Sequence, residues 1–466
     1  MAPTGRGGRR NTHRRNNPTS SSHTTPLPPS LIIKILTHTD PKSLARLKCV
    51  SKSWYALITN PLFIKKHLLI HSTNTHTHII CNAYITRKPN TRNCSHRSTH
   101  STCNRINCSK VVSLLRVDKM PVRLVELENG VNGNCEFRKG IGFGEFSKNM
   151  VLAGSVNGVV LVMNLGELNE RFVGLWNPGV NRWKVVKIGR ECGGFGGDVT
   201  CSAFGLGYDE GNDDFRIIRI VTGYVSRAEF FAKGQRARVK VYSVYRGCWE
   251  DVDGDFSFWP SRCNCQFIVK GVPYFVGDDV MPDDPRSNQQ NWILAGFDPC
   301  TGMYKKVHYP EHFRGDTWVK PFEYQNRIAV FVQCTPGALE KHMIDMYVLD
   351  DDNCSWKKMY SIGPFPFLEF FQPQQSFKTG LIVLEELIEN ARGPCLYDPR
   401  TNFVTLLMGI DNLEPQWSES YSHSESLVTI EGMELITKKD KNKKTKPKKM
   451  NRIALLSKDF ESALHL

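Results

Sequence analysis

Apolar positions along the chain follow two different spacings, which divide it into a helical part and a β part. Between residues 27 and 69 they recur every three or four positions, as in Leu31, Ile32 and Ile35, and this predicts short helices. From residue 111 to 436 short β-branched and aromatic runs alternate with Gly, Pro, Asn and Asp, which predicts strands. We therefore expect an α+β multidomain protein, with a small all-α module followed by an all-β domain.

The helical stretch contains its own start and stop signals. Asp40 and Ser51 are good N-cap residues, Pro28-Pro29 and Asp40-Pro41 place proline where a helix begins, and Asn60-Pro61 closes the third helix. Three or four helices in so few residues carry more apolar surface than they can bury alone. The pattern therefore predicts that another protein covers part of this module.

One unit recurs through the β part, at intervals near 50 residues from Tyr242 onward. The copies have an apolar strand, an aromatic residue, a turn that has Pro or Asp in four of the five, and a closing aromatic: LWNPGVNRWKVV (175–186), VYSVYRGCWEDV (241–252), GFDPCTGMYKKV (296–307), MYVLDDDNCSWKKM (346–359) and LYDPRTNFVTLL (396–407). This period is typical of kelch-type β-propellers, whose small sheets bury their faces against one another around a ring. The pattern predicts core positions for Trp176, Trp183, Trp249, Trp356 and Tyr397, and it leaves the blade count open.

The formal charge of +15 is concentrated in the two tails. Residues 1–26 hold five arginines and no acid, and residues 438–458 hold ten basic residues against one aspartate. The body between them is nearly neutral, so the charge does not predict a nucleic-acid-binding face on it. A folded body that binds RNA or DNA remains a third, less favoured hypothesis. The tail at 438–449 has three interpretations: a nuclear import signal, a solvated segment, or nonspecific binding to phosphate backbones, with import and solvation favoured equally.

The number of cysteines and the lengths of the apolar runs indicate in which compartment we expect the protein. Fifteen cysteines without paired spacing and no N-terminal signal segment favour reduced thiols in the nucleus or cytoplasm. No apolar run approaches the length that a membrane helix needs, so we expect no membrane association. The residues Cys94, His96, His100, Cys103 and Cys108 fit no standard zinc spacing, and we predict no metal, no cofactor and no catalytic residue.

The segment from 27 to 68, LPPSLIIKILTHTDPKSLARLKCVSKSWYALITNPLFIKKHL, resembles the F-box motif of plant proteins, above all in its KCVSKSW core. The later blocks AFGLGYDEGNDDFRIIRI (203–220) and YSHSESLVTI (421–430) resemble the F-box-associated interaction domain. The chain departs from the usual motif at Thr39 and Asp40, where the family has Leu-Pro, and at Pro29 and Ser30, where it favours acids.

The resemblance implies five segments: a basic tail (1–26), the F-box (27–69), a polar linker (70–110), a kelch-like β-propeller domain that binds substrate (111–436) and a second basic tail (437–466). It also implies a non-enzymatic receptor subunit of an SCF-type ubiquitin ligase, joined to a Skp-type adaptor and a cullin scaffold. The adaptor-binding residues would be Leu27, Pro28, Leu31, Ile35, Leu36, Leu44, Cys49, Val50, Lys52 and Trp54.

Aromatic residues outside the predicted strands are candidates for receiving a protein substrate, because interfaces favour large aromatic side chains. These are Trp259, Trp292, Trp318 and Phe367. The alternative is a sugar-binding or enzymatic propeller to which the F-box is incidental. That alternative requires acids or histidines converging on strand ends around the axis of the ring.

Overall fold

The computed structural model describes residues 27–73, 78–86, 108–116, 123–126, 150–164, 172–188, 201–222, 227–279, 292–310, 313, 317–334, 342–350, 355–365, 370–387, 392–406 and 416–435. Both basic tails lie outside these residues. So do Phe367 and all of the Cys/His group except Cys108.

The N-terminal module consists of four helices: α1 (Pro29–Thr37), α2 (Pro41–Leu47), α3 (Lys52–Thr59) and α4 (Pro61–Thr73). The predicted caps are present. The Asp40 side chain accepts a hydrogen bond from the Ser43 N–H at 2.9 Å, and the Ser51 hydroxyl accepts one from the Trp54 N–H at 3.1 Å. These caps begin α2 and α3 only a few residues after the preceding helix has ended. The module is therefore compact.

The described part of the β-domain contains six antiparallel sheets, which we number as blades. Blade 1 has β1 (His78–Thr86), β2 (Cys108–Arg116), β3 (Arg123–Glu126) and β25 (Gln416–His423); blade 2 has β4 (Met150–Val156), β5 (Val159–Asn164), β6 (Phe172–Asn177), β7 (Arg182–Lys187) and β26 (Glu434–Leu435); blade 3 has β8 (Cys201–Asp209), β9 (Asp214–Thr222), β10 (Ala237–Ser243) and β11 (Cys248–Phe256).

Blade 4 has five strands, β12 (Phe258–Pro260), β13 (Phe267–Val269), β14 (Val272–Asp279), β15 (Trp292–Phe297) and β16 (Tyr304–His308). Blade 5 has β17 (Thr317–Tyr324), β18 (Arg327–Cys334), β19 (His342–Asp350) and β20 (Ser355–Phe365). Blade 6 has β21 (Phe370–Ser376), β22 (Ile382–Leu387), β23 (Arg392–Asp398) and β24 (Phe403–Leu406). A short helix, α5 (Arg227–Ala232), lies between β9 and β10.

The innermost strands of neighbouring blades touch in sequence and close a ring. β25 contacts β4, β4 contacts β8, β8 contacts β14, β13 contacts β17, β17 contacts β21, and β21 returns to β25. The ring closes because β25, from the C-terminal end of the domain, pairs with β1 from its beginning. The fold is therefore a β-propeller, as the repeat predicted, with apolar side chains filling the space between blades.

The two ends of the ring differ. Since neighbouring strands are antiparallel, the turn from first to second strand and the turn from third to fourth strand of each blade lie at the same end. We call this the short-turn end. In blades 2, 3, 4 and 6, where the structure describes it, the third-to-fourth turn contains a residue with positive φ: Asn181, Gly247, Gly302 and Asn402. These are the turns of the repeated unit, so the repeat in the sequence is a repeat in space.

The structure corrects two predicted boundaries. β1 and the start of β2 lie within the stretch 70–110 that the sequence assigned to a linker, so the propeller begins at His78. β1 has to belong to the propeller because it supplies the partner that closes the ring with β25. The helical module also continues to Thr73, four residues past its predicted end.

Candidate functional site

The helical module sorts its apolar side chains into a buried set and an exposed set. Leu36, Leu44, Ile58 and Phe63 form the buried set, and they pack together in one cluster. The half-buried side chains around them are Ile32, Leu47, Trp54, Leu57 and Ile64. This cluster is the core of the module, and it leaves a second group of large apolar side chains on the surface.

Part of the exposed set lies on and next to the first helix. Leu31 and Ile35 are four residues apart, which places them on one side of α1, and Leu27 lies just before that helix. Leu27, Leu31 and Ile35 are 57%, 46% and 56% exposed, and Val50, in the turn before α3, is 60% exposed. We call these four residues the apolar row; Tyr55, Leu62 and Leu69 are exposed elsewhere in the module. Several large apolar side chains exposed in one small module are typical of a surface that another protein covers.

The predicted adaptor-binding residues fall into two groups. Pro28, Cys49 and Lys52 are exposed like the apolar row, so they are accessible to a partner. Leu36 and Leu44 are buried in the module's core and do not lie on its exposed surface, so their assignment to adaptor binding stays a prediction. The spacing that marks a helix face does not tell which apolar positions face inward. Trp54 is half-buried against the core and reaches the surface only in part.

The module is strongly basic. Between residues 27 and 73 the chain has seven lysine and arginine residues and one acid, Asp40. Six of the basic side chains are exposed: Lys34, Lys42, Arg46, Lys52, Lys65 and Lys66. A partner that covers the apolar row therefore meets a positive surface around it, which favours a partner with acidic residues at the matching positions.

The module sits on the short-turn end of the propeller. Leu427, in the chain between β25 and β26, lies in the module's core cluster, and Val180, in the turn between β6 and β7, packs against it. Lys48 faces Arg182 of blade 2. Burial, and then the charge of Arg182, lower the pKa of Lys48. The interface therefore joins the helices to blade 2 through one apolar contact region.

His67 holds the fourth helix against the first half of the module. It is fully buried, its Nε2 lies 2.8 Å from the Thr39 carbonyl oxygen, and its ring stacks on His71. Nε2 donates to that carbonyl, and the buried Nδ1 has no hydrogen-bond partner. Burial lowers the pKa of His67 to about 4, against a smaller opposing effect of the Thr39 hydrogen bond. The neighbouring His38 and His71 lower it further, and Asp40 raises it.

We expect the helical module to lose stability as the pH falls from about 6.5 to 4. The unfolded chain binds a proton at His67 near pH 6.5, whereas the folded chain does so only near pH 4, so acid favours unfolding in this window. The full effect is about 3 kcal/mol, from about 1.4 kcal/mol per pKa unit. Hydrogen exchange of the α4 amides at pH 7 and pH 5 measures it. His67→Gln should remove most of this pH dependence, and the exposed His38→Ala should keep most of it, because the charge of His38 is the smallest of the effects on His67. Equal pH dependence in both variants would refute the assignment.

The aromatic candidates for substrate contact lie at the end of the ring opposite the module. Trp259 in β12 and Trp292 in β15 both pair with Asp278 of β14. The Trp259 ring also packs edge-on against Phe230 of α5, with 5.1 Å between ring centroids, and Trp292 is 39% exposed. Trp318 is the second residue of β17 and lies at the same end. Their role in binding substrate stays a prediction.

Polar side chains meet near the axis of the ring, where they form hydrogen bonds between blades. Glu323 of blade 5 accepts hydrogen bonds from the Ser422 hydroxyl of blade 1 at 3.2 Å and from the Asn326 N–H at 2.7 Å. His423 of blade 1 bonds the Ser155 hydroxyl of blade 2 at 2.9 Å. Glu323, His423 and Ser155 are buried and Ser422 is half-buried, and burial raises the pKa of Glu323. Their geometry explains how inner strands are held together around the ring.

An axial cavity lies between the inner strands of blades 1, 4, 5 and 6. Its volume is about 30 Å³, room for about two water molecules. The polar side chains lining it include Arg262, Gln266, Lys320, Gln374 and Glu419. Among the described residues, no group of three or more His, Cys, Asp or Glu side chains is placed to hold a metal ion. No helix in this part of the chain is long and apolar enough to cross a membrane.

Sequence reasoning missed the residues that join the module to the propeller. Leu427 belongs to a segment quoted only for its family resemblance, and Val180 is an ordinary turn residue. One feature of the sequence could have indicated this contact. Three copies of the repeated turn have aspartate at the position where blade 2 has Asn177. The Asn177 Nδ2 donates to the Ser426 and Val428 carbonyls at 3.2 Å and 2.8 Å, and an aspartate has no such hydrogen to donate.

Comparison with known families supports the sequence resemblance. The F-box domain family matches residues 26–66, which contain α1, α2, α3 and the first half of α4. The apolar row lies entirely within this match. The chain therefore contains an F-box domain, as its KCVSKSW block indicated.

Two curated relatives combine an F-box with propeller-type repeats. F-box/WD-40 repeat-containing protein 1 of Arabidopsis thaliana is 24% identical over 306 residues, which cover 62% of this chain and 60% of that protein. An F-box/kelch-repeat protein of the same organism is 23% identical over 383 residues, covering 80% and 87%. The chain thus spans less than two thirds of the first relative. Among solved structures, TolB from Acinetobacter baumannii matches with 8% identity and a TM-score of 0.39, covering 74% of this chain and 66% of that one.

Proposed function

This chain is an F-box protein with a β-propeller domain, and we propose that it is the substrate-recognition subunit of an SCF-type ubiquitin ligase. In this role the F-box module binds a Skp-type adaptor, which connects it to the cullin scaffold. The propeller holds a protein substrate for ubiquitination and degradation. The other subunits of the ligase catalyse ubiquitin transfer, and this chain binds and orients the substrate.

The observation that carries the proposal is the apolar row. The module buries one side against the propeller, yet Leu27, Leu31, Ile35 and Val50 remain about half exposed. Burying a side chain of this size stabilises a complex by roughly 1.5 to 3 kcal/mol. Since these four side chains are already about half buried, covering each of them gains roughly half of that free energy. The match of the F-box family to the same residues supports a Skp-type adaptor as that partner.

Leu31→Arg in the full chain is expected to abolish adaptor binding, because it places a charge in the middle of the apolar row. We expect at least a hundredfold weaker binding, equivalent to about 3 kcal/mol, in a titration with a purified Skp-type adaptor. Leu69→Arg is the matched control, since Leu69 is 63% exposed but lies near the end of α4, outside the row. Equal binding by the Leu31 variant and the wild type would overturn the proposal.

The orientation of the propeller supports the division of roles. The module occupies the short-turn end, and Trp259, Trp292 and Trp318 begin or flank strands at the opposite end. A substrate held at that opposite end does not compete with the adaptor for surface. Substrate identity is testable by proximity labelling under proteasome inhibition, comparing the wild type with the Leu31→Arg variant. Substrates should be labelled by both proteins under inhibition, and without the inhibitor they should accumulate only with the variant.

A further inference from the structure

The chain between β25 and β26, residues 424–433, connects three parts of the molecule, and we call it the C-terminal strap. It leaves the innermost strand of blade 1, crosses the short-turn end and joins the outer edge of blade 2, where Glu434 pairs with Trp183. Residues 424–430 have no regular secondary structure. An irregular segment at a surface is normally free to move unless side chains hold it.

Hydrogen bonds fix the strap on both sides of Leu427. The Ser426 hydroxyl donates to the Asn157 carbonyl at 2.7 Å, and the Asn177 amide donates to the Ser426 and Val428 carbonyls. Further along, the Arg182 guanidinium donates to the Met433 carbonyl at 3.2 Å. The backbone next to Leu427 is thus attached to the turns of blade 2.

The Leu427 side chain points away from this anchorage into the helical module. It is 1% exposed and lies in the cluster of Leu36, Leu44, Ile58 and Phe63. Within the described residues, Leu427 and Val180 are the members of that cluster that come from the β-domain. Leu427 is the fully buried one of the two, so it completes the core of the adaptor-binding module from the propeller side.

We infer that Leu427 is a positioning residue, which fixes the direction of the F-box module on the short-turn end and so sets where the ligase delivers ubiquitin. The inference rests on the proposed function. Domains joined by a small interface move relative to one another by default, and an apolar side chain buried in both partners restricts that motion. With the module fixed, the apolar row and the opposite end of the ring keep one orientation relative to each other. Only a few lysines then have a high effective concentration at the site of ubiquitin transfer.

The test compares Leu427→Ala with Leu427→Met, which keeps the side-chain volume, and with Thr429→Ala, an exposed position of the same strap. Small-angle X-ray scattering of the full chain gives the radius of gyration. Mass spectrometry of the chain's own lysines, after reconstitution with Skp-type adaptor, cullin, ring-finger protein, conjugating enzyme and ubiquitin, gives the sites of modification. Val180→Ala weakens the same contact from the propeller side and serves if Leu427→Ala does not fold.

We expect Leu427→Ala to bind adaptor as tightly as the wild type, to shift the radius of gyration upward, and to spread ubiquitin over lysines that the wild type leaves unmodified. Leu427→Met and Thr429→Ala should match the wild type. An unchanged radius and an unchanged site pattern in Leu427→Ala would overturn the inference, and so would loss of adaptor binding by that variant. If the wild type itself fails to bind adaptor, the proposed function is wrong, while the scattering comparison still decides whether Leu427 fixes the module.

Discussion

Asn177→Asp is expected to destabilise the protein by about 3 to 5 kcal/mol, the cost of an uncompensated charge in the interior. Asn177 is completely buried, and its Nδ2 donates to the Ser426 carbonyl, the Ser426 hydroxyl and the Val428 carbonyl. Aspartate has almost the same shape but places a negative oxygen against those oxygens. The turn itself is preserved, because Oδ1 still accepts from the Gly179 N–H. The loss therefore reports on the strap and not on the turn.

The matched control is Asp398→Asn, at the same turn position in blade 6. Asp398 accepts a hydrogen bond from the Arg400 N–H at 3.0 Å, which an amide oxygen can also accept. Its ion pair with Arg400 is near the surface, and such pairs contribute less than about 1 kcal/mol. Urea denaturation of both variants measures the difference. Equal midpoints for Asn177→Asp and the wild type would show that the strap contributes nothing to folding.

Gly158→Ala is expected to destabilise the protein by about 2 to 4 kcal/mol, the combined cost of backbone strain and a steric clash. Gly158 lies in the turn between β4 and β5 with φ of +81°. A Cβ atom there would be 2.2 Å from the Ser426 hydroxyl oxygen and 2.7 Å from the Ser424 carbonyl oxygen. The strap has to move away, which breaks the hydrogen bond from Ser426 to Asn157.

Gly302→Ala separates the two costs. Gly302 has φ of +70°, but nothing lies within 4 Å of the position where its Cβ would be. That variant has the backbone strain without the clash, and we expect it to cost about 1 kcal/mol. The difference in unfolding free energy between the two alanine variants measures how closely the strap is packed. If the two variants were equally stable, the strap would not rest on the β4–β5 turn.

Both variants act on the strap, so their effects should extend to the helical module. When the strap moves, Leu427 leaves the core formed by Leu36 and Leu44. We therefore expect faster hydrogen exchange in α3 and α4 of Asn177→Asp and Gly158→Ala, in addition to a lower stability of the ring. The controls Asp398→Asn and Gly302→Ala lie on blades 6 and 4, away from the strap, and should leave exchange in these helices unchanged.

Much of the architecture could be predicted from sequence because it depends on local patterns. The caps at Asp40 and Ser51 require only a side-chain oxygen and a neighbouring N–H, and both are present. The repeated turns can likewise be predicted from residues such as Asn402, which tolerate a positive φ. The buried positions of Trp176 and Tyr397 follow from the repeat, since equivalent positions in stacked sheets have equivalent surroundings.

The sequence alone determined that the chain has an F-box and a propeller, and that the module exposes apolar surface. Only the tertiary structure decided which apolar residues are exposed, since Leu31 and Leu36 have the same helical signal and opposite surroundings. It also decided that β1 closes the ring and that Leu427, nearly 400 residues from α1, completes the core of the module. Helix and turn preferences arise from neighbours in the chain, whereas burial and ring closure arise from contacts between distant segments, which local pattern does not encode.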